Sequence, residues 1–205
     1  MLSGAEIVTL QDRLTEIWHE TLDTQEAVTG EWLELVARQH RANFDLWHIE
    51  DEARTPHVSD AELAAVKRRI DRTNQLRNDL AEEVDRKLLE WLRRRRLPNP
   101  VAPLNSESPG LMIDRLSILA LKIYHTRQET ERLQAPEGHA ERNRTRLAVL
   151  EEQRADLAHC LDSLWQDILK GQRCFKIYRQ MKMYNDPALN PAIYSRTGSD
   201  GIEES

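Results

Sequence analysis

Between residues 39 and 54 an apolar helical face turns polar. The series that begins Trp32, Leu35, Val36 continues at helical spacing to Gln39, Asn43, Trp47 and Glu50, with His40, Asp51 and Arg54 beside it. A second run, Lys67, Asp71, Asn74, Asn78, Glu82 and Asp85, keeps the same spacing, flanked by Arg68, Gln75 and Asp79. Amides are weak helix formers and poor solubilisers. Asn74, Gln75 and Asn78 so close together therefore suit a ligand-facing surface better than a plain solvated one. The chemistry these residue types offer is that of phosphate. Arg54, Arg68 and Arg77 can hold phosphate oxygens by forked hydrogen bonds, while Asn43, Asn74, Gln75 and Asn78 would read polar ligand edges, with Lys67 and Asp71 in the same lining. Glu50, Asp51, Asp79 and Glu82 are the candidate catalytic carboxylates, as general bases or cation holders. Glu50, Asp51 and Asp79 are the first choice of metal ligands, and an oxygen-only set favours Mg²⁺ or Mn²⁺ over Zn²⁺. Trp47 and His48 complete the candidate ligand-binding residues, although a helical Trp or lone His is more often packed than reactive. The plainer alternative is a solvated face laced by i,i+4 pairs such as Lys67 with Asp71.

A further polar cluster, Ser106, Glu107 and Ser108, precedes Pro109 and an apolar run. It marks a helix N-terminus, whose free N–H groups are anion-receptive. Asp114, Ile118, Lys122 and His125 then share one side of that helix. Asp114 and Arg115 beside a buried face imply ion pairing, so Glu107, Asp114, Arg115 and Lys122 stand as candidate ligand contacts or as a structural cap and salt bridge. Basic residues gather at 93–96 and again at Arg173, Lys176, Arg179 and Lys182, interleaved with Phe175, Tyr178 and Tyr184. Such interleaving can serve RNA or anionic lipid. Against the overall charge of −6, a helix-end cluster and a docking tail are the better reading.

These residues need elements to hold them, and the punctuation of the chain supplies five helices. The 205 residues contain only 7 Gly and 8 Pro, which argues against turn-rich β structure. Amphipathic spacing predicts helices over about 4–20 and 31–53. Ser59 with Glu62 forms a capping-box pair, and no Gly or Pro follows until Pro98; the third helix, over about 60–96, is therefore the longest and reads as the spine of the bundle. The fourth runs from Pro109, capped by Ser108, to about residue 134. A fifth covers about 139–170, with Gly171 as its stop. Residues 1–196 are expected to form one all-α helical-bundle domain and 197–205 a frayed tail.

Two cysteines fit a reduced, cytoplasmic protein. The first residues lack the basic start and apolar core of a signal peptide, and no apolar run suffices to span a bilayer. The acidic balance argues against a nucleic-acid partner. Phosphate loop, G-x-G-x-x-G, C-x-x-C, H-E-x-x-H and G-x-S-x-G are all absent from the sequence. Two function classes remain. One is binding or processing of a phosphorylated small molecule, such as a nucleotide or nucleotide-sugar, in a polar cleft between the second and third helices. The other is a non-catalytic module that docks on a protein partner or forms a homo-oligomer.

Three segments taken together, 43–51 (NFDLWHIED), 67–79 (KRRIDRTNQLRND) and 105–122 (NSESPGLMIDRLSILALK), resemble the bacterial domain-of-unknown-function family 4254. The resemblance implies a bacterial helical domain of no assigned activity that keeps company with glycosyltransferases of envelope polysaccharide assembly. It also adds weight to the Asn/Asp/Arg stripe as a site, because those residues carry the resemblance.

Overall fold

The computed structural model describes residues 2–21, 28–56 and 59–178. Among the described residues the chain forms five α-helices and no strand: α1 Gly4–Glu20, α2 Glu31–Glu52, α3 Asp60–Arg93, α4 Pro109–Glu131 and α5 His139–Leu169. The expected all-α bundle is the fold found. The tail at 197–205 and the basic residues from Arg179 onward lie outside the described residues, as does most of the first interhelical loop.

Local chemistry sets the helix ends. The Ser59 hydroxyl accepts from the Glu62 N–H while the Glu62 carboxylate accepts from the Ser59 N–H, a complete capping box. Ser108 caps α4, with Pro109 in the first turn. α3 stops at Arg93, short of the expected 96. Arg96 takes a left-handed φ of 59°, and the Leu97 N–H reaches back to the Leu92 carbonyl at 3.0 Å, a Schellman-type closure ahead of Pro98.

Packing places a different helix at the centre from the one that length suggests. α3 is the longest, 34 residues or about 51 Å, yet it packs only on α2 and α4. α4 touches all four other helices. It buries Met112, Ile113, Leu116, Ala120, Leu121 and Ile123, the all-round apolar character of a core helix. Its N-terminal turn crosses α3 where neither backbone leaves room: a Cβ on Gly110 would stand 2.4 Å from the Ala81 carbonyl oxygen. After α5 the chain returns to the α3–α4 connector, where Leu104 and Cys174 form an isolated parallel bridge, with the Asn105 N–H on the Cys174 carbonyl at 2.8 Å and the Cys174 N–H on that of Pro103 at 3.1 Å. No helix among the described residues is long and apolar enough to cross a membrane.

Candidate functional site

The polar turn of α2 is aimed at the second and third turns of α4. Asp114 lies there almost fully buried, and its Oδ1 accepts from Gln39 Nε2 at 2.6 Å, Asn43 Nδ2 at 2.9 Å and Arg77 Nε at 2.8 Å. Arg77 Nη2 donates to Oδ2 at 2.5 Å. A carboxylate in a core helix is tolerable only with a countercharge and satisfied lone pairs; α3 supplies the first and α2 and α3 together the second. The Arg77 guanidinium is in turn held above its ordinary value by the bonds to Asp114. The network continues to α1. Asn43 Nδ2 also donates to Ser117 Oγ at 2.9 Å; Ser117 then has its own proton for His40 Nδ1 at 2.7 Å. Thr15 donates to the Gln11 carbonyl at 2.8 Å, so its oxygen accepts from His40 Nε2 at 2.9 Å. His40 is thereby fixed as the neutral Nε2–H tautomer, and complete burial pushes its pKa down to about 3. Asn43 and Asp114, expected as ligand contacts, are thus committed to holding α1, α2, α3 and α4 together.

The N-terminus of α4 is likewise filled from within the protein. Asp85 of α3 accepts from the Gly110 N–H at 2.7 Å and from the Ser108 hydroxyl at 2.5 Å. It takes the place that the sequence suggested for a ligand anion. Burial pushes its pKa up to about 6, against the opposing pull of those two bonds. Glu107 instead receives Arg115, in contacts of 2.8 and 3.0 Å near the surface.

The single polar stripe read along α3 divides among several surroundings. Lys67 and Asp71 pair at 2.8 Å on the exposed side, and Gln75 donates to the exposed Asp79 at 2.8 Å. Arg68 is exposed and Asn74 half-buried. Arg77 points inward to Asp114, whereas Asn78 and Glu82 line a cavity of about 240 Å³ beside Asp85, Ser108 and Lys176. Consequently the four candidate catalytic carboxylates do not converge. Glu50 and Asp51 share one cavity, Glu82 lines another, and Asp79 belongs to neither. Glu50, Asp51 and Asp79 do not form a metal-binding group either; among the described residues, the three-residue group close enough to share an ion is made of histidines.

What does come together is a groove over the outer side of α4. Asn43, Trp47, Glu50, Asp51, Arg54 and Arg77 line a cavity of about 250 Å³ with Leu46, Ile118 and Leu121. Arg54 is anchored there by Asp51 at 3.1 Å and Glu50 at 3.3 Å. Across Ile118, which lines both, lies a larger cavity of about 650 Å³ between α4 and α5 that gathers Glu107, Arg115 and Lys122 with Asp156 and Cys160. The sequence-predicted α2–α3 cleft is therefore an α2–α4 groove that α3 reaches through Arg77 alone. Behind it stands a layer of rings of which the sequence pointed to Trp47, His48 and His125 but not to His19 or Tyr124: Trp47 stacks on His125 at 4.8 Å and 6° between planes, and Tyr124 on His19 at 4.1 Å. The available signal was position, because His19, His48 and His125 each continue the inward face of a different helix.

Residues 33–177 match the model of a family described as a protein of unknown function (DUF4254). That span begins in the first turn of α2 and takes in the Asp114 network except for its α1 members, together with the whole groove. Neither a curated protein nor a solved structure matches the chain.

Proposed function

The chain belongs to the DUF4254 family, whose description assigns no activity, and from the groove itself we propose that it binds a phosphorylated small molecule of the nucleotide or nucleotide-sugar class. The observation that carries this reading is the setting of Arg77. Asp114 engages two positions of its guanidinium, yet the side chain retains 22% exposure and lines the cavity beside Arg54. An arginine has five N–H donors. One that is immobilised by a buried partner loses little further freedom on meeting an anion. The smaller cavity has room for a phosphate or one ring, with Trp47 as its wall. The larger, lined by Lys122 and Arg115, would take the remainder of the ligand. Mg²⁺ or Mn²⁺ accompanying the phosphate would meet Glu50 and Asp51. Because the acids do not converge, the reading is one of binding, and hydrolysis is no part of it. The envelope-glycan association implied by the family resemblance makes nucleotide-sugars the first class to test.

A thermal-shift panel of nucleotides and nucleotide-sugars, each with Mg²⁺, Mn²⁺ or chelator, tests the proposal. Ligand at about a hundred times its Kd adds about 2.7 kcal/mol, or about 5–10 °C for a chain of this size. That shift should shrink in Arg54→Gln and Lys122→Gln, whose side chains stand at the surface. A flat panel overturns the reading. It would favour the second one, a non-catalytic module that self-associates or docks on a partner enzyme. One feature favours that alternative: in the first half of α3 only Ile70 is buried, while Leu63 and Leu76 are 45% and 50% exposed. Sedimentation of the free chain checks it.

A further inference from the structure

We propose that His19, His48 and His125 form a binding site for a transition-metal ion of the Zn²⁺ type. The site is independent of the phosphate-ligand reading, although Trp47 belongs to both neighbourhoods.

The three residues come from α1, α2 and α4, and one ligand atom from each lies within 4.8 Å of the others. Zn–N bonds of about 2.1 Å in tetrahedral geometry put ligand nitrogens about 3.4 Å apart. Binding would draw the nitrogens together by up to about 1.4 Å from the 4.8 Å limit. Two of the rings are already oriented for the task. His19 Nδ1 lies 2.7 Å from the Thr15 carbonyl oxygen and His48 Nδ1 2.8 Å from that of Phe44, each four residues back on its own helix. A carbonyl only accepts, so Nδ1 carries the proton and Nε2 is left with its lone pair. Metal-ligating histidines are typically held in this way, their other ring nitrogen tied to a backbone carbonyl or carboxylate.

A second, independent observation points to a missing partner. His19 Nε2 and His125 Nε2 are buried and make no hydrogen bond, whereas buried polar atoms are nearly always satisfied. An ion at the centre would satisfy both. The surroundings are a shell of rings: Tyr124 against His19, Phe44 against His48 at 4.4 Å, and Trp47 against His125. Nitrogen ligands select Zn²⁺, Co²⁺, Ni²⁺ or Cu²⁺ over Mg²⁺. Three protein ligands leave a fourth coordination position open, the pattern of an ion that meets water or a ligand instead of serving as a closed structural staple.

The probe is the metal alone. Tag-free chain carrying Cys160→Ser, to remove the exposed thiol, is stripped with chelator and titrated with Co²⁺. The expected result is saturation at one Co²⁺ per chain, with the visible absorption of a four- or five-coordinate ion that equimolar Zn²⁺ abolishes. His48→Gln should weaken binding by at least about a hundredfold, the upper end of what loss of a mere supporting partner costs. His159→Gln, exposed on α5, should leave it unchanged. His125→Asn gives a second test should His48→Gln lose its helical signal. The proposal is overturned if the stripped chain shows no saturable Co²⁺ binding, or if binding persists in folded His48→Gln or His125→Asn. Because no nucleotide is present, failure here leaves the phosphate-ligand reading standing, and the converse holds as well.

Discussion

Two buried titratable side chains pull the stability of this molecule in opposite directions with pH. His40 has its pKa lowered to about 3 in the folded chain, against about 6.5 unfolded. Its contribution is complete above pH 6.5 and is lost as pH falls toward 3, amounting to about 2 kcal/mol by pH 5. Asp85 is raised to about 6 from about 3.9 unfolded, so the folded chain takes up its proton first, and between pH 6 and 5 it returns about 1 kcal/mol. Asp85→Asn removes that return. The variant should therefore lose stability more steeply than the parent from pH 6 to 5 when urea midpoints are compared, and parallel slopes would refute the assignment. Asp114 makes the other residue-scale prediction. Replacing Arg77 by Met strands a buried carboxylate and should cost about 3–5 kcal/mol. Adding Asp114→Asn should recover part of that loss, a coupling that a double-mutant cycle in urea reads directly. None of these pairings was legible in the sequence. Asp114 and Arg77 are 37 positions apart, and Ser108 and Asp85 are 23 apart. Their residue types announced only that something polar lay next to an apolar face.

At the scale of elements, sequence and structure agree wherever the physics is local. Ser59 with Glu62 and Ser108 with Pro109 fix helix starts through contacts spanning three residues or fewer, and both helices begin where those signals lie. Agreement ends where one helix must choose its neighbours. The run Lys67 to Asp85 shares a spacing, but only its C-terminal half is covered by α4. Arg77 and Asp85 are therefore drawn inside, while the Lys67–Asp71 and Gln75–Asp79 pairs remain in water, as the plainer solvated-face alternative has it. The α3–α4 crossing itself rests on Gly110, whose missing side chain leaves space for the Ala81 carbonyl and the Asp85 carboxyl. Gly110→Ala should destabilise by about 1–3 kcal/mol despite alanine's better helix propensity. A gain in melting temperature would show that the crossing yields easily.

For the whole molecule, length proved a poor guide to centrality and composition a good one. α4 is shorter than α3 and α5 but apolar nearly all round, and it is the helix that meets every other. The groove arises between α2 and α4 with one residue from α3, and the histidine group where α1, α2 and α4 come together, so neither belongs to any single segment of sequence. That is why reading one helix at a time found half of each. The Leu104–Cys174 bridge has a practical consequence for following such an assembly. Its cysteine is buried, with Sγ on the Ala102 carbonyl at 3.2 Å, while Cys160 is exposed. A thiol reagent should therefore modify the native chain in two kinetic phases, one stoichiometric and rapid at Cys160, the other slow at Cys174 and abolished by Cys174→Ser. The slow phase would time how often the chain peels away from the α3–α4 connector, making this cysteine an intrinsic clock for opening at that end of the bundle.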